Sequence, residues 1–368
     1  MPEEAANEFI TMLTGTSPLY VAIATAEAMF IRSILSHLHL EILKRNRPPS
    51  STFNFQSASI GNLFLTGARL FSGSFESAIY LMAIMGGVDE SRTAVFPSII
   101  SNFSHHISAG LANGSVITGQ NAISHPSEPT ALDEAIQLAS SDGNSLAYSN
   151  DSTIEDANLP GSLPSLRRQN IAISKQSEAS LPARIERIWY INPYGQEMRP
   201  TPNPKVVEAL NLADAVLYSI GSLYTSIIPS LILQGVGAAI AWAKGPRFKI
   251  LILNGSLDRE TEGFGASDFL DAIVRACQYG DGHKTNPNAK TIREDWQKYV
   301  THLIYLEGDG VPKTDRTLLA KWGVECIRIY GRKTDVLEYD QTALVQALTS
   351  ILGKREKGDR SRRNSVHR

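Results

Sequence analysis

Cysteine is almost absent: the 368 residues contain two, Cys277 and Cys326. Two thiols cannot build a disulfide framework, and without a C-x-x-C pair there is no cysteine zinc motif. The expectation is two reduced, buried thiols in a cytoplasmic chain. Surplus charge is missing too. Against 37 Asp and Glu stand 35 Lys and Arg, a net charge of −2, which excludes a protein that coats nucleic acid. With 42% hydrophobic residues, the chain is equally unlike a disordered one. No G-x-S-x-G, H-E-x-x-H or early G-x-G-x-x-G occurs, so neither a serine hydrolase, a zinc protease nor a dinucleotide dehydrogenase is indicated. The opening "MPEEAANEF" is acidic and lacks the basic start of a signal peptide. The N-x-S sequons at Asn102, Asn113, Asn150 and Asn254 are therefore taken as chance matches.

One long uncharged run is present, from Ala215 to Ala243. It is long enough to span a bilayer. Pro229, Gly235 and Gly237 interrupt it, and Ser219, Ser222, Thr225, Ser226, Ser230 and Gln234 make it poor hydrocarbon material. A strand, a loop and a helix buried in an α/β protein fit it better, with no membrane partner.

The first forty-five residues or so have helical spacing, closed by Lys44-Arg45 and stopped by Pro48-Pro49. Two helices joined near Ser72-Gly73 follow, then a strand in "RTAVFPSII" and a hairpin turning at Asn113-Gly114. Residues 139–182 are rich in Ser, Asn and Asp and are expected to be a disordered insertion within one domain, 1–353. Beyond it come the strand "RIERIWYIN" and alternating segments: helix "NPKVVEALNLA", strand "DAVLYSI", helix "SIIPSLILQGVGAAIAWA", strand "FKILILNG", and a helix from "ASDFLDAIVRAC" capped by Ser267. Further strands lie in "VTHLIYLEG" and "VECIRIYG", and a last helix in "TALVQALTSIL". This rhythm predicts an α/β fold with a mainly parallel sheet. The final fifteen residues, 354–368, carry seven Lys and Arg against two acids and are expected to be a disordered basic tail, with a localisation or kinase signal as the alternative.

Parallel sheets bind ligands where strand ends lead into helix N-termini. The loop Gly221-Ser222-Leu223-Tyr224-Thr225-Ser226 sits at such a place. Glycine permits close approach, and the hydroxyls and free amides suit phosphate; a plain helix cap is the other reading. Gly61-Asn62 offers a ligand contact or a cap. Thr261, Gly263 and Asp268 make a polar, glycine-rich loop able to close on a ligand, with helix capping as the alternative. His105-His106 point to opposite faces of a strand, a poor pair for a metal.

At "DAVLYSIGSLYTSIIPSLILQGV" the sequence resembles the CofD-like family, which groups 2-phospho-L-lactate transferases with YvcK-type gluconeogenesis factors that bind sugar nucleotides. Asp214, Gly221 to Ser226 and Pro229 match the family's signature loop, while Ser219-Ile220 replace its usual Gly-Pro. "SIGNLFLTGARL", "GSVITGQNAISHPS", "NPKVVEALNLAD" and "ETEGFGASDFLDAI" match in order, although Phe269 replaces a frequent His. The resemblance covers most of Ser57 to Leu352. It implies a Rossmann-like three-layer fold and a nucleotide, nucleotide-sugar or other phosphorylated small molecule as partner. Gly221 to Ser226 would hold phosphate, with Gly61, Asn62, Thr261 and Asp268 around the ligand. It also implies Mg²⁺, and a homodimer is a candidate assembly. The family's opening strand, glycine-rich loop and Asp-rich segment have no counterpart in residues 1–46, so the first βα unit is expected to be missing. A transferase of a phospho-lactyl-type group and a non-catalytic sugar-nucleotide regulator both stand, the latter including a degenerate or incomplete enzyme.

Overall fold

The computed structural model describes residues 2–45, 53, 55, 58–101, 105–124, 163, 180–242, 244–282, 293–333 and 337–364. The chain forms two compact units, Met1–Phe103 and Ser104–Arg368, where a single domain is expected from the sequence. Apart from Leu163 and residues 180–182, the expected insertion lies outside the described residues.

The first unit is helical: α1 (Pro2–Thr14), α2 (Thr25–Arg45), α3 (Ile60–Ser72) and α4 (Phe75–Met85). Helix α1 ends at Gly15, and the Arg32 guanidinium donates to the orphan Leu13 carbonyl at 3.1 Å. Helices α3 and α4 meet as expected, at Gly73, whose φ of +70° ends α3 in the left-handed region. Ser74 then caps α4 by accepting from the Ser77 amide. Ile34, Phe64, Ala68 and Ala78 form one core cluster, and Phe9, Met12 and Leu35 another. The stretch "RTAVFPSII" forms no strand of a sheet; Pro97 lacks the donor a ladder needs.

The second unit holds two main sheets. Strands β1 (His106–Leu111), β2 (Val116–Thr118), β3 (Ile185–Ile191) and β4 (Glu197–Met198) make an antiparallel sheet in the order β2-β1-β3-β4. Its first turn is the expected Asn113-Gly114, with Gly114 at φ +84° and the Asn113 side chain accepting from the Ser115 amide. The parallel sheet is β5 (Ala215–Tyr218), β6 (Phe248–Ile252), β7 (His302–Tyr305) and β8 (Glu325–Arg328), paired in sequence order. A hairpin of β9 (Gly331–Lys333) and β10 (Leu337–Tyr339) follows.

Helices cover both faces of the parallel sheet, the three layers of a Rossmann-like fold. On one face Phe248, Ile250, Ile252 and Ile304 pack against Ala347 and Ile351 of the last helix, Gln341–Asn364. That helix runs through residues 354–364, beyond the expected boundary at 353. On the other face Tyr218 lies near Cys277 of the helix Ala266–Gly280, and its phenol is pushed well above its usual range by burial. The N-cap of that helix is Gly265 and not Ser267, which lies inside the first turn.

The uncharged run 215–243 divides into pieces. After β5 come a wide helical turn (Leu223–Ile227), a short helix (Ile228–Leu231), a break at Gly235 with φ +80°, and a second short helix (Val236–Ala241). The single helix expected there is thus broken. Among the described residues no helix is long and apolar enough to cross a membrane.

Candidate functional site

The carboxyl ends of β5 and β6 lie side by side, because the strands are parallel neighbours with Tyr218 opposite Leu251. The loop Gly221–Ser226 leaves β5 here, and Asn254 follows β6. The loop's two sides differ. Leu223 and Tyr224 turn inward and are buried, whereas Gly221 and Ser226 are exposed and Ser222 and Thr225 lie between. The Tyr224 hydroxyl, expected among the ligand groups, instead donates to the Ile185 carbonyl at 2.9 Å, and its ring meets Phe264 edge-on.

The loop's inner amides are already occupied. Glu260, 2% exposed, accepts from the Tyr224 amide at 2.8 Å, the Thr225 amide at 3.1 Å and the Thr225 hydroxyl at 2.5 Å. A resident carboxylate thus sits where a helix start favours an anion. Burial pushes the Glu260 carboxyl above its usual range, opposed by the Thr225 hydroxyl and the two amides and reinforced by Asp258. Ser222 makes no side-chain cap; its carbonyl accepts from the Ser226 and Ile227 amides. Among the described residues the Gly221 and Ser222 amides take no partner. They form the open half of the loop. A Cβ on Gly221 would stand 3.0 Å from that of Ser226, so a side chain added there crowds only the exposed Ser226, which has to give by a few tenths of an ångström.

Asn254 completes this edge. Its amide nitrogen faces the Ile220 and Gly221 carbonyls at 3.4 and 3.5 Å, which orients the group. Its oxygen is then left buried without a partner among the described residues. An unpaired buried acceptor is costly and invites a ligand donor.

The β6 loop is tied down by its own side chains. The Thr261 hydroxyl donates to Asp258 at 2.6 Å and accepts from its amide. Asp268 accepts from the Gly265 amide at 2.7 Å, capping its helix, and pairs with Arg184 at 2.7 Å. The Arg184 guanidinium also lies 4.1 Å over the Phe264 ring. Of the two expected roles of this loop, capping is the one these contacts fill. Gly263, at φ +73°, makes the turn between them.

Gly61 and Asn62 belong to the first unit. They occupy the first turn of α3, whose N-cap is Ser59, so Asn62 does not cap the helix; it is exposed. His106 opens β1 and His105 lies edge-on to Tyr190. Among the described residues no three His, Cys, Asp or Glu side chains converge as metal ligands.

Sequence reasoning missed Glu260 and the role of Asn254. A carboxylate in "DRETEG" has nothing local to mark it as buried, since its partners lie 35 and 36 residues away. Asn254 carried a readable signal: it is the first polar residue after the apolar strand "FKILIL", at the end where ligands bind.

Known proteins resemble this chain in sequence and in fold. The family model described as 2-phospho-L-lactate transferase CofD matches residues 24–328. A protein of Saccharomyces cerevisiae, YNL011C, is 36% identical over 341 residues, covering 88% of this chain and 76% of that one. The gluconeogenesis factor of Bacillus subtilis is 27% identical over 180 residues, 48% of this chain and 54% of its own length. A crystal structure of a UPF0052 family member from Bacillus halodurans shares the fold with a TM-score of 0.50 at 19% identity, over 86% of this chain and 82% of that one. With the signature loop on the carboxyl end of a parallel sheet and a family match spanning most of its length, the chain belongs to the CofD family.

Proposed function

We propose that the chain binds a nucleoside diphosphate or nucleotide-sugar ligand at the carboxyl ends of β5 and β6. The observation that carries this reading is the division of labour in the loop. Glu260 holds the inner amides of Tyr224 and Thr225, which leaves the Gly221 and Ser222 amides, unpartnered among the described residues, for a phosphate. The Asn254 oxygen supplies an acceptor beside them for a ligand hydroxyl or N–H. The relatives named gluconeogenesis factors support a regulatory role in carbon metabolism for such binding.

The family model's description favours a second reading, transfer of a phospho-lactyl-type group. An acceptor hydroxyl would bond to the phosphorus that bears the lactyl-type group, its bond to the bridging oxygen would break, the nucleoside monophosphate would leave with that oxygen, and the hydroxyl proton would pass to solvent. The described carboxylates beside the loop do not fit Mg²⁺. Both oxygens of Glu260 are engaged by three donors, both oxygens of Asp268 by Gly265 and Arg184, and one oxygen of Asp258 by Thr261, so the three do not turn a shared set of open oxygens toward one ion.

Calorimetric titration with GDP and UDP-glucose tests the binding. Saturable binding to the wild type is expected, with Gly221→Val weakening it by about tenfold or more. The melting temperature of that variant should stay within about 3 °C, because Gly221 is exposed and only Ser226 has to give. Unchanged affinity in a folded variant would remove the loop from the site. Turnover of a donor by the wild type would decide for transfer over regulation.

A further inference from the structure

The parallel sheet has two outer strands, and they differ in kind. Strand β8 exposes charge at both ends, Glu325 and Arg328, which keeps an open edge from pairing with another chain. Strand β5 has no such protection. Between Asp214 and Lys244 the sequence holds no charge, and Leu217, within the strand, is 44% exposed. The backbone is open there too. The Phe248 amide donates to the Asp214 carbonyl, so in a parallel ladder Val216 and Tyr218 turn their amides and carbonyls toward β6, and Ala215 and Leu217 turn theirs away. Among the described residues no strand pairs with that outer side. The sheet face is uncovered at the same place. Ala215 packs against the core under the last helix, and Leu217 lies on the same face two residues on. Its register partner Ile250 is fully buried, so the cover ends between β6 and β5.

A strand with unpaired backbone groups beside an exposed leucine fits another extended strand. We propose that the occupant is β5 of a second copy of this chain, paired antiparallel about a two-fold axis at Leu217. In that register Leu217 meets Leu217 of the other copy, Ala215 meets Ser219, and the two sheets join into one of eight strands. Charge favours a second copy as the partner. Self-pairing sets the two Asp214 side chains six residue steps apart, about 20 Å, and brings no other charge to the edge. A four-residue strand buries little area, so the dimer is a micromolar one. This interface goes beyond the nucleotide reading and does not depend on it.

Sedimentation equilibrium of the full chain without nucleotide, from about 2 to 100 µM, tests it. The wild type is expected to rise from the monomer mass to twice that mass. Leu217→Lys puts a charge on the axis and should weaken dimerisation by about tenfold or more, with the circular dichroism spectrum kept because the side chain is exposed. Leu217→Cys should form an intermolecular disulfide under mild oxidation, since residues paired in this way have Cα atoms about 5.5 Å apart. Val116→Cys, equally exposed on the other sheet, should not cross-link, nor should the wild type, with Cys277 buried and Cys326 half-buried. The proposal is overturned by a wild type that stays monomeric at about 100 µM, by a mass that grows beyond the dimer, by undiminished dimerisation of folded Leu217→Lys, or by no more cross-linking at position 217 than at 116.

Discussion

Replacing Glu260 with alanine is expected to destabilise the second unit by roughly 3 kcal/mol. The carboxylate satisfies two backbone amides and a hydroxyl, and Tyr224 is buried, so water cannot fully replace it. Each buried donor left unpaired costs about 1–3 kcal/mol, less where a water enters the space vacated. Glu260→Gln keeps one acceptor oxygen but points an NH₂ at donors, and its loss should be nearer 1 kcal/mol. Chemical denaturation of the three proteins checks both values. The pH dependence has a definite sign. Burial raises the folded carboxyl's affinity for its proton, so the folded state binds more protons than the unfolded one across that interval. The stability this shift contributes is present below the usual carboxyl value of 4.5 and is lost as pH rises through the folded value. Glu260→Gln should flatten that part of the stability profile. An unchanged slope would mean the carboxyl does not titrate as its burial requires.

The second large effect concerns the close crossing that seats the loop. Gly280, near the end of the helix Ala266–Gly280, lies against the backbone of the segment that follows the loop. A Cβ there would stand 2.8 Å from the Leu233 carbonyl, 2.9 Å from that of Leu231 and 3.1 Å from the Ile232 carbonyl carbon. These are backbone atoms, so no rotamer change relieves the contact. Alanine gains about 1 kcal/mol of helix propensity over glycine, but overpacking a tight core costs typically 1–3 kcal/mol and more where backbone must move. Gly280→Ala is therefore expected to lose roughly 2 kcal/mol net. Gly237 makes the reciprocal contact, with a Cβ 2.6 Å from the Cys277 carbonyl. Because both glycines seat the same pair of segments, Gly237→Ala combined with Gly280→Ala should cost less than the sum of the single losses. Denaturant midpoints of the three variants measure this, and additive losses would show that the two contacts are independent.

Much of the second unit was legible because its signals are local. Apolar strands such as "FKILIL" and "HLIY" alternate with helices, and Asn113-Gly114 marks its own turn. The loop was legible by position, as the hydroxyl-rich link after β5. What failed depends on distant partners. The cap of the loop comes from Glu260, and the helix expected through 226–243 is broken at Gly235, with Gly237 and Gly280 approaching neighbouring backbone. Ser267 looked like a cap because serine favours that position, yet Gly265 holds it and Asp268 supplies the carboxylate. The strand expected in "RTAVFPSII" had the right composition, but among the described residues it forms only a single bridge position, at Ile99.

The opening scarcity takes a definite meaning in the folded chain. Cys277 is fully buried and its thiol is pushed above its usual range by burial and by Asp281; Cys326, expected to be buried, is only half-buried, and that burial lifts it to about 11. Neither is a ready nucleophile. The groups left open at the carboxyl ends of β5 and β6 are the Gly221 and Ser222 amides, the Asn254 carboxamide and the loop hydroxyls, which are suited to orienting a ligand.

Mapping backbone amides by NMR during a GDP titration tests the central claim most directly. The largest shifts are expected at the Gly221 and Ser222 amides and the Asn254 side chain, with the Tyr224 and Thr225 amides held by Glu260 moving little. Saturable binding with its shifts elsewhere, and none at Gly221, Ser222 or Asn254, would contradict it.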